Sequence, residues 1–244
     1  MFWQDHFDRL FASAKTLEIP VSYSVAGLEE LVRKIINKNS VRNGSVRLTI
    51  TAGAAGTAAL AANGAVASGP TLVIFTRQPL AYTAGHYQHG LKAGFVKIRR
   101  NEHSSLVRLK TINYLENLLA KKEAHLYCWD EALFLNTAGN LAEGAVSNIF
   151  LVKNERVVTP SDDQGLLPGV MRKVVLSKCA CLGIPAEERV VALPEVFVAD
   201  ECFLTNALMG VMPLVKINGR TIGDGRPGMI TRKLNQAVNT NIIG

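Results

Sequence analysis

No run of about 18 apolar residues occurs in this 244-residue chain, which argues against a membrane-spanning helix. The opening Met-Phe-Trp-Gln-Asp-His has no basic stretch followed by an apolar one, so it does not read as a secretory signal. Cysteine is scarce: Cys128, Cys179, Cys181 and Cys202 form no C-x-x-C pair, and Cys179 and Cys181 stand too close for an easy disulfide. That usage implies a reducing, cytoplasmic setting in which thiols serve mostly as small core residues. Long runs of like charge are missing too. The 27 Lys and Arg against 20 Asp and Glu leave +7, scattered along the chain. A nucleic-acid surface clusters its basic residues, so the excess points to an anionic small-molecule substrate or cofactor. Neither nucleic acid nor a membrane is an expected partner. His86 and His89 stand three apart without a cysteine or carboxylate pattern, so no metal site is expected.

What is present is an ordinary globular balance, 48% hydrophobic and 19% charged, enough apolar content to exclude intrinsic disorder. Phe7, Leu10, Phe11, Ala14 and Leu17 follow helical spacing up to Pro20. Leu28, Leu31, Val32, Ile35 and Ile36 mark a second helix. Strands are expected at 45–51 and 71–76. The Ala- and Gly-rich stretch between them, 51–70, lacks a GK[ST] ending and reads as a mobile surface loop. Periodicity fades over 79–93, which predicts a small domain at 1–85 and a larger one at 86–244.

In the second half, strands are predicted at 95–99, 131–135, 148–152, 156–159, 189–193, 201–204 and 212–217. Asn218-Gly219 reads as a hairpin turn. Helices are predicted over 111–124, with Ile112, Leu115, Leu118 and Leu119 inward, from Gly169 toward Gly183, and over 229–239. The fold class is mixed α/β (α+β), with short strands that favour antiparallel or barrel-like sheets in the second half.

Four segments carry chemistry only when taken together: His6-Phe7-Asp8-Arg9-Leu10; Lys110-Thr111-Ile112-Asn113-Tyr114; Glu143-Gly144-Ala145-Val146-Ser147-Asn148-Ile149-Phe150; and Leu167-Pro168-Gly169-Val170-Met171-Arg172, with Thr205-Asn206-Ala207-Leu208-Met209 further on. Singly, Lys110 and Arg9 read as solvated charges and Glu143 as a turn carboxylate. In this order they resemble the fold-type IV pyridoxal-phosphate enzymes, a family of branched-chain aminotransferases, D-amino-acid transaminases and 4-amino-4-deoxychorismate lyases.

The resemblance implies a two-domain fold, a small N-terminal α/β domain and a larger barrel-like one, that assembles as a homodimer. It implies pyridoxal 5'-phosphate tethered to Lys110, which also moves protons at the substrate carbon. It places Glu143 against the pyridine nitrogen, and Arg9, Thr205 and the backbone N–H groups of Val170 and Met171 on the phosphate. A cofactor role for Tyr114 and a packing role remain equally open. The stretch from Thr205 to Pro213 resembles the N-A-L-M-x-V-M-P run of the lyases, which makes Asn206, Leu208 and Met209 candidate substrate contacts. Arg100, in Arg99-Arg100-Asn101, is a candidate partner for substrate carboxylates. The implied reaction converts 4-amino-4-deoxychorismate to 4-aminobenzoate and pyruvate on the route to folate. The alternatives are a D-amino-acid or branched-chain transaminase, or an inactive cofactor-binding homologue. The family pattern begins upstream, with strands carrying a Y/F-G-D-G-x-F segment, whereas this chain opens at the H-x-x-R-L helix. The N-terminal domain is therefore expected to lack its first strands.

Overall fold

The computed structural model describes residues 2–53, 69–78 and 82–239. The chain divides into two compact units, Phe2–Ala81 and the residues from Tyr82 onward. Most of the stretch read as a mobile loop, residues 54–68, lies outside the described residues.

The N-terminal unit holds α1 (Trp3–Thr16), α2 (Val25–Lys38), β1 (Ser45–Thr51) and β2 (Thr71–Arg77). Trp3 stacks on Phe7 at 5.9 Å, and Phe7 and Ala14 are buried one and three turns into α1. Ser24 caps α2 by accepting the Gly27 N–H at 3.1 Å, and Leu28 and Val32 bury its apolar face. β1 and β2 pair antiparallel, Ser45 opposite Arg77 through Thr51 opposite Thr71.

The second unit runs α3 (Ala84–His89), β3 (Leu91–Phe95), α4 (Leu115–Leu126), β4 (Glu131–Leu135), β5 (Leu141–Gly144), β6 (Asn148–Lys153) and β7 (Arg156–Pro160). It continues with α5 (Val170–Cys181), β8 (Ala186–Arg189), α6 (Leu193–Phe197), β9 (Glu201–Asn206), β10 (Gly210–Ile217), β11 (Arg220–Thr221) and α7 (Met229–Asn239). The strands form one sheet in the order β5-β4-β3-β10-β9-β6-β7-β8, with β11 beside β10. β3 runs parallel to β4 and β10, and β7 parallel to β8; the remaining pairs are antiparallel. β5 packs against β6 and β7 although it lies at the far end of the hydrogen-bonded order, so the sheet curls toward a half-barrel.

Both faces of the sheet are covered, and β4 shows how. Leu133 and Leu135 enter a large cluster with Ile149, Leu204 and Met212, while Ala132 and Phe134 turn to the other face with Ala120, Ala124 and Ala142. All five residues of β4 are buried. Phe150 and Phe203 stack at 4.8 Å across β6 and β9. Gly94 on β3 admits the Trp129 ring, since a Cβ there would stand 2.2 Å from it.

Several expectations shift. The strand predicted at 95–99 lies at Leu91–Phe95, and the one at 189–193 becomes β8 followed by α6. α3 forms in the stretch where periodicity had faded. It is started by a reciprocal cap in which the Thr83 hydroxyl and backbone meet His86.

The larger correction concerns α4. It begins at Leu115 rather than Thr111, and its buried residues are Asn117, Ala120 and Ala124. Ile112, Leu115, Leu118 and Leu119 are 64%, 64%, 55% and 46% exposed. The helix lies close against an alanine face of the sheet, which admits only small side chains, so its leucine stripe faces outward. The cysteines divide evenly: Cys179 and Cys202 are buried, Cys128 and Cys181 exposed, and all four are free. Among the described residues no helix is long and apolar enough to cross a membrane.

Candidate active site

The motifs of the second unit converge on the tight turn Gly144–Ser147 between β5 and β6. Glu143, at the end of β5, is buried at 6% exposed. One carboxylate oxygen lies 3.2 Å from Arg100 Nη2, and the other accepts the Leu167 N–H at 3.0 Å. Burial pushes its pKa up to about 7. The Arg100 charge, the Leu167 N–H and the Lys110 charge pull it back.

Arg100 is itself buried. Its Nη1 reaches Glu116 on α4 at 2.8 Å, and its guanidinium lies over the Phe134 ring at 4.0 Å. The structure thus places Arg100 behind Glu143, engaged by two carboxylates and a ring. This pair has no spacing signature; the sequence signal available was only an arginine just beyond an apolar stretch.

Lys110 lies exposed in the linker between a 3-10 turn at Ser105–Arg108 and α4, five residues before the helix it was expected to begin. Its ammonium stands 5.5 Å from the centre of the Tyr114 ring. The same segment is tied to the turn: the Tyr114 hydroxyl at 3.3 Å and Asn117 Nδ2 at 2.6 Å both donate to the Ala145 carbonyl. The K-x-x-N-Y motif and the E-G-x-x-S-N motif are therefore locked together at one oxygen, two residues from Glu143.

A further residue that sequence reasoning missed, Glu131, also holds the turn. Glu131 on β4 is buried and accepts the Ser147 hydroxyl at 3.0 Å, with the Lys121 ammonium 3.5 Å away. Gly144 has no room for a side chain, because a Cβ would meet Ser147 Oγ at 2.2 Å.

The L-P-G run reaches the turn from another side. Asn148 Nδ2 donates to the Leu167 carbonyl at 2.8 Å, while the Leu167 N–H serves Glu143. Gly169 is the N-cap of α5 with no side-chain capping bond, and a Cβ there would collide with Asn148. The first N–H groups of α5, those of Val170 and Met171, are the ones a helix leaves unpaired. Thr205 pairs with Asn148 across β9 and β6. It is 1% exposed, and its hydroxyl has no partner among the described residues.

The Asn206 side chain is engaged in the fold. Its Nδ2 donates to the Val146 carbonyl at 3.1 Å, and its Oδ1 accepts the N–H groups of Leu208 and Met209 at 2.8 and 2.9 Å. Leu208 is exposed, and Met209 is buried in the main core cluster. Arg9 lies in the N-terminal unit, half-buried on α1. Burial lowers its pKa, and it has no ion pair among the described residues.

A buried hydroxyl without a partner, an uncapped helix N-terminus beside it and a desolvated carboxylate near a lysine form a donor set short of an anion and of a cationic ring. Pyridoxal 5'-phosphate carries both, and these residues fit it. Residues 1–217 match the family amino-transferase class IV, and the chain belongs to that family of pyridoxal-phosphate-dependent enzymes. It is similar to a probable branched-chain-amino-acid aminotransferase of Aquifex aeolicus, at 32% identity over 97% of this chain and 75% of the relative. Among solved structures it resembles the Escherichia coli branched-chain amino acid aminotransferase at a TM-score of 0.91 and 29% identity, covering 98% of this chain and 78% of that one. A Legionella pneumophila protein described as a candidate 4-amino-4-deoxychorismate lyase matches at a TM-score of 0.88 and 26% identity, over 98% of this chain and 85% of that one.

The raised pKa of Glu143 has a consequence for the cofactor-free protein. Between its ordinary 4.5 and about 7 the folded state holds a proton that the unfolded chain has released. Stability therefore falls as pH rises through that window, by up to about 3 kcal/mol from this group. Glu143→Gln removes the titration. From about pH 5 to about pH 7.5 the wild-type melting temperature should drop more than that of the variant; parallel curves would contradict the assignment.

Proposed function

We propose that this chain is a pyridoxal-phosphate-dependent aminotransferase acting on a small amino acid with an apolar side chain. The observation that carries the proposal is the junction of Lys110, Glu143 and the α5 N-terminus at one turn, supported by the Aquifex aeolicus and Escherichia coli relatives.

When bound, the cofactor draws electrons from the substrate carbon that bears the amino group. Lys110 Nζ would hold the cofactor and, when freed by the substrate amine, would carry the proton from that carbon to the cofactor's aldehyde carbon. Glu143, drawn toward its charged form by Arg100, would pair with the ring nitrogen and favour its protonated form. The N–H groups of Val170 and Met171 and the Thr205 hydroxyl would bind the phosphate.

A second reading is the 4-amino-4-deoxychorismate lyase, favoured by Asn206-Ala207-Leu208-Met209-Gly210-Val211-Met212-Pro213 and by the Legionella pneumophila structure. Its argument for a substrate wall is weakened by the inward packing of Met209 and the engaged amide of Asn206.

Purified protein should be yellow, and borohydride reduction followed by peptide mapping should place the label on Lys110; label on another lysine would overturn the site. Assayed side by side, branched-chain amino acids with 2-oxoglutarate should turn over while 4-amino-4-deoxychorismate yields no 4-aminobenzoate. The reverse result assigns the lyase. Silence in both, with cofactor bound, assigns an inactive homologue.

The proposed assembly is a homodimer. Its support in this chain is the leucine face of α4, where Leu115, Leu118 and Leu119 form an apolar patch of a kind that monomers seldom leave open. Light scattering should give twice the 26.4 kDa chain mass at micromolar concentration, and Leu118→Glu should lower it toward one chain. A wild-type monomer would refute the dimer.

A further inference from the structure

The L-P-G-x-x-R run ends in Arg172, whose partners lie on β7, on the turn that follows it and on β8. Arg172 is the third residue of α5 and is 4% exposed. A cation in the first turn of a helix opposes the helix dipole, and burying it adds a desolvation cost. Three partners offset those costs. Nη1 lies 3.2 Å from both Asp162 and Glu188, and Nη2 donates to the Pro160 carbonyl at 2.8 Å. Nε has no partner among the described residues.

The positions of those partners show what the arrangement does. Pro160 ends β7, Asp162 opens the 3-10 turn that follows it, and Glu188 lies on the parallel strand β8. Residues 161–169 run from the end of β7 to the start of α5, and Arg172 clasps the two ends together. That closed segment contains Leu167, whose N–H serves Glu143 and whose carbonyl takes Asn148, and Gly169, the uncapped N-cap of α5. The three clasp contacts go to Pro160, Asp162 and Glu188, not to Glu143 or Thr205. The guanidinium acts through the backbone.

We infer that Arg172 is a positioning residue for phosphate recognition. By clasping Pro160, Asp162 and Glu188 it holds the first turn of α5 in place before the cofactor arrives, so its free N–H groups need no ordering on binding. The inference rests on the pyridoxal-phosphate reading of the site. It differs from a general structural role in one respect: the loss should fall on the phosphate end of the ligand and spare the aldehyde end.

The experiment measures dissociation constants of pyridoxal 5'-phosphate and of pyridoxal, which lacks the phosphate, by absorbance titration of wild type, Arg172→Met and Arg172→Lys. Asp162 and Glu188 are half-exposed, so Arg172→Met strands no buried charge. Arg172→Met should weaken pyridoxal 5'-phosphate by about tenfold or more, roughly 1.4 kcal/mol, and change pyridoxal by less than about twofold. Arg172→Lys, which keeps the charge but not the three-way clasp, should fall between. The phosphorus NMR line of the bound cofactor should shift in both variants.

Equal weakening of the two ligands, or no weakening of either, would overturn the inference. Should Arg172→Met not fold, Glu188→Gln, which changes only the exposed end of the clasp, should show the same selective loss at smaller size; an unaltered ratio would overturn it. A wild type that binds pyridoxal as tightly as pyridoxal 5'-phosphate would remove the phosphate site itself. That outcome is separate from a wild type that prefers the phosphate and an Arg172 variant that keeps the preference.

Discussion

The rest of the candidate site is built around one buried contact, the Glu143 carboxylate against the Arg100 guanidinium. Glu143 sits at the end of β5 almost without access to water, and burial alone would leave it protonated through the neutral range. Arg100 at 3.2 Å and the Leu167 N–H at 3.0 Å shift that balance. Without the arginine the carboxyl would keep its proton and lose its charge. The protein therefore anchors Arg100 as firmly as Glu143, by a second carboxylate at Glu116 and by the Phe134 ring.

The surrounding elements are arranged around that contact. The turn after Glu143 is held at Ala145 by Tyr114 and Asn117, at Val146 by Asn206 and at Ser147 by Glu131. Each contact comes from a different part of the chain: the approach to α4 and its first turn, the end of β9, and β4. The lysine linker and the carboxylate strand are thus referred to the same few backbone oxygens. The entry to α5 is tied to the side chains that flank this turn, because the Leu167 N–H donates to the Glu143 carboxylate and the Leu167 carbonyl accepts from the Asn148 amide. Relative placement within this unit comes from short polar contacts to one turn, on a sheet whose two faces are both packed.

The sequence was most legible where chemistry constrains residue type. Lys110, Glu143 and the L-P-G run stand out through their resemblance to the family, and the strands predicted at 131–135, 148–152 and 201–204 agree with β4, β6 and β9 to within two residues. Arg100 was read as a partner for substrate carboxylates, whereas it pairs with Glu143 and Glu116, because pairing between residues 43 apart leaves no trace in spacing. α4 misled for a physical reason. Periodicity reports which residues share a face, not which face is inward, and contact with the alanines at 132, 142 and 145 selected Ala120 and Ala124 over the leucines. Glu131 and Ser147 read as ordinary polar residues until the fold buries them together.

The central claim is that Arg100 keeps a buried Glu143 available as an anion for the ring of the cofactor. Carbon-13 NMR of the Glu143 side-chain carboxyl, followed through pH, tests it directly. In the cofactor-free protein the account predicts a titration near pH 7. It moves upward in Arg100→Met and leaves the neutral range toward acid when pyridoxal 5'-phosphate is bound. A carboxyl that titrates at the ordinary 4.5 in wild type and Arg100→Met alike, unmoved by the cofactor, would contradict the account.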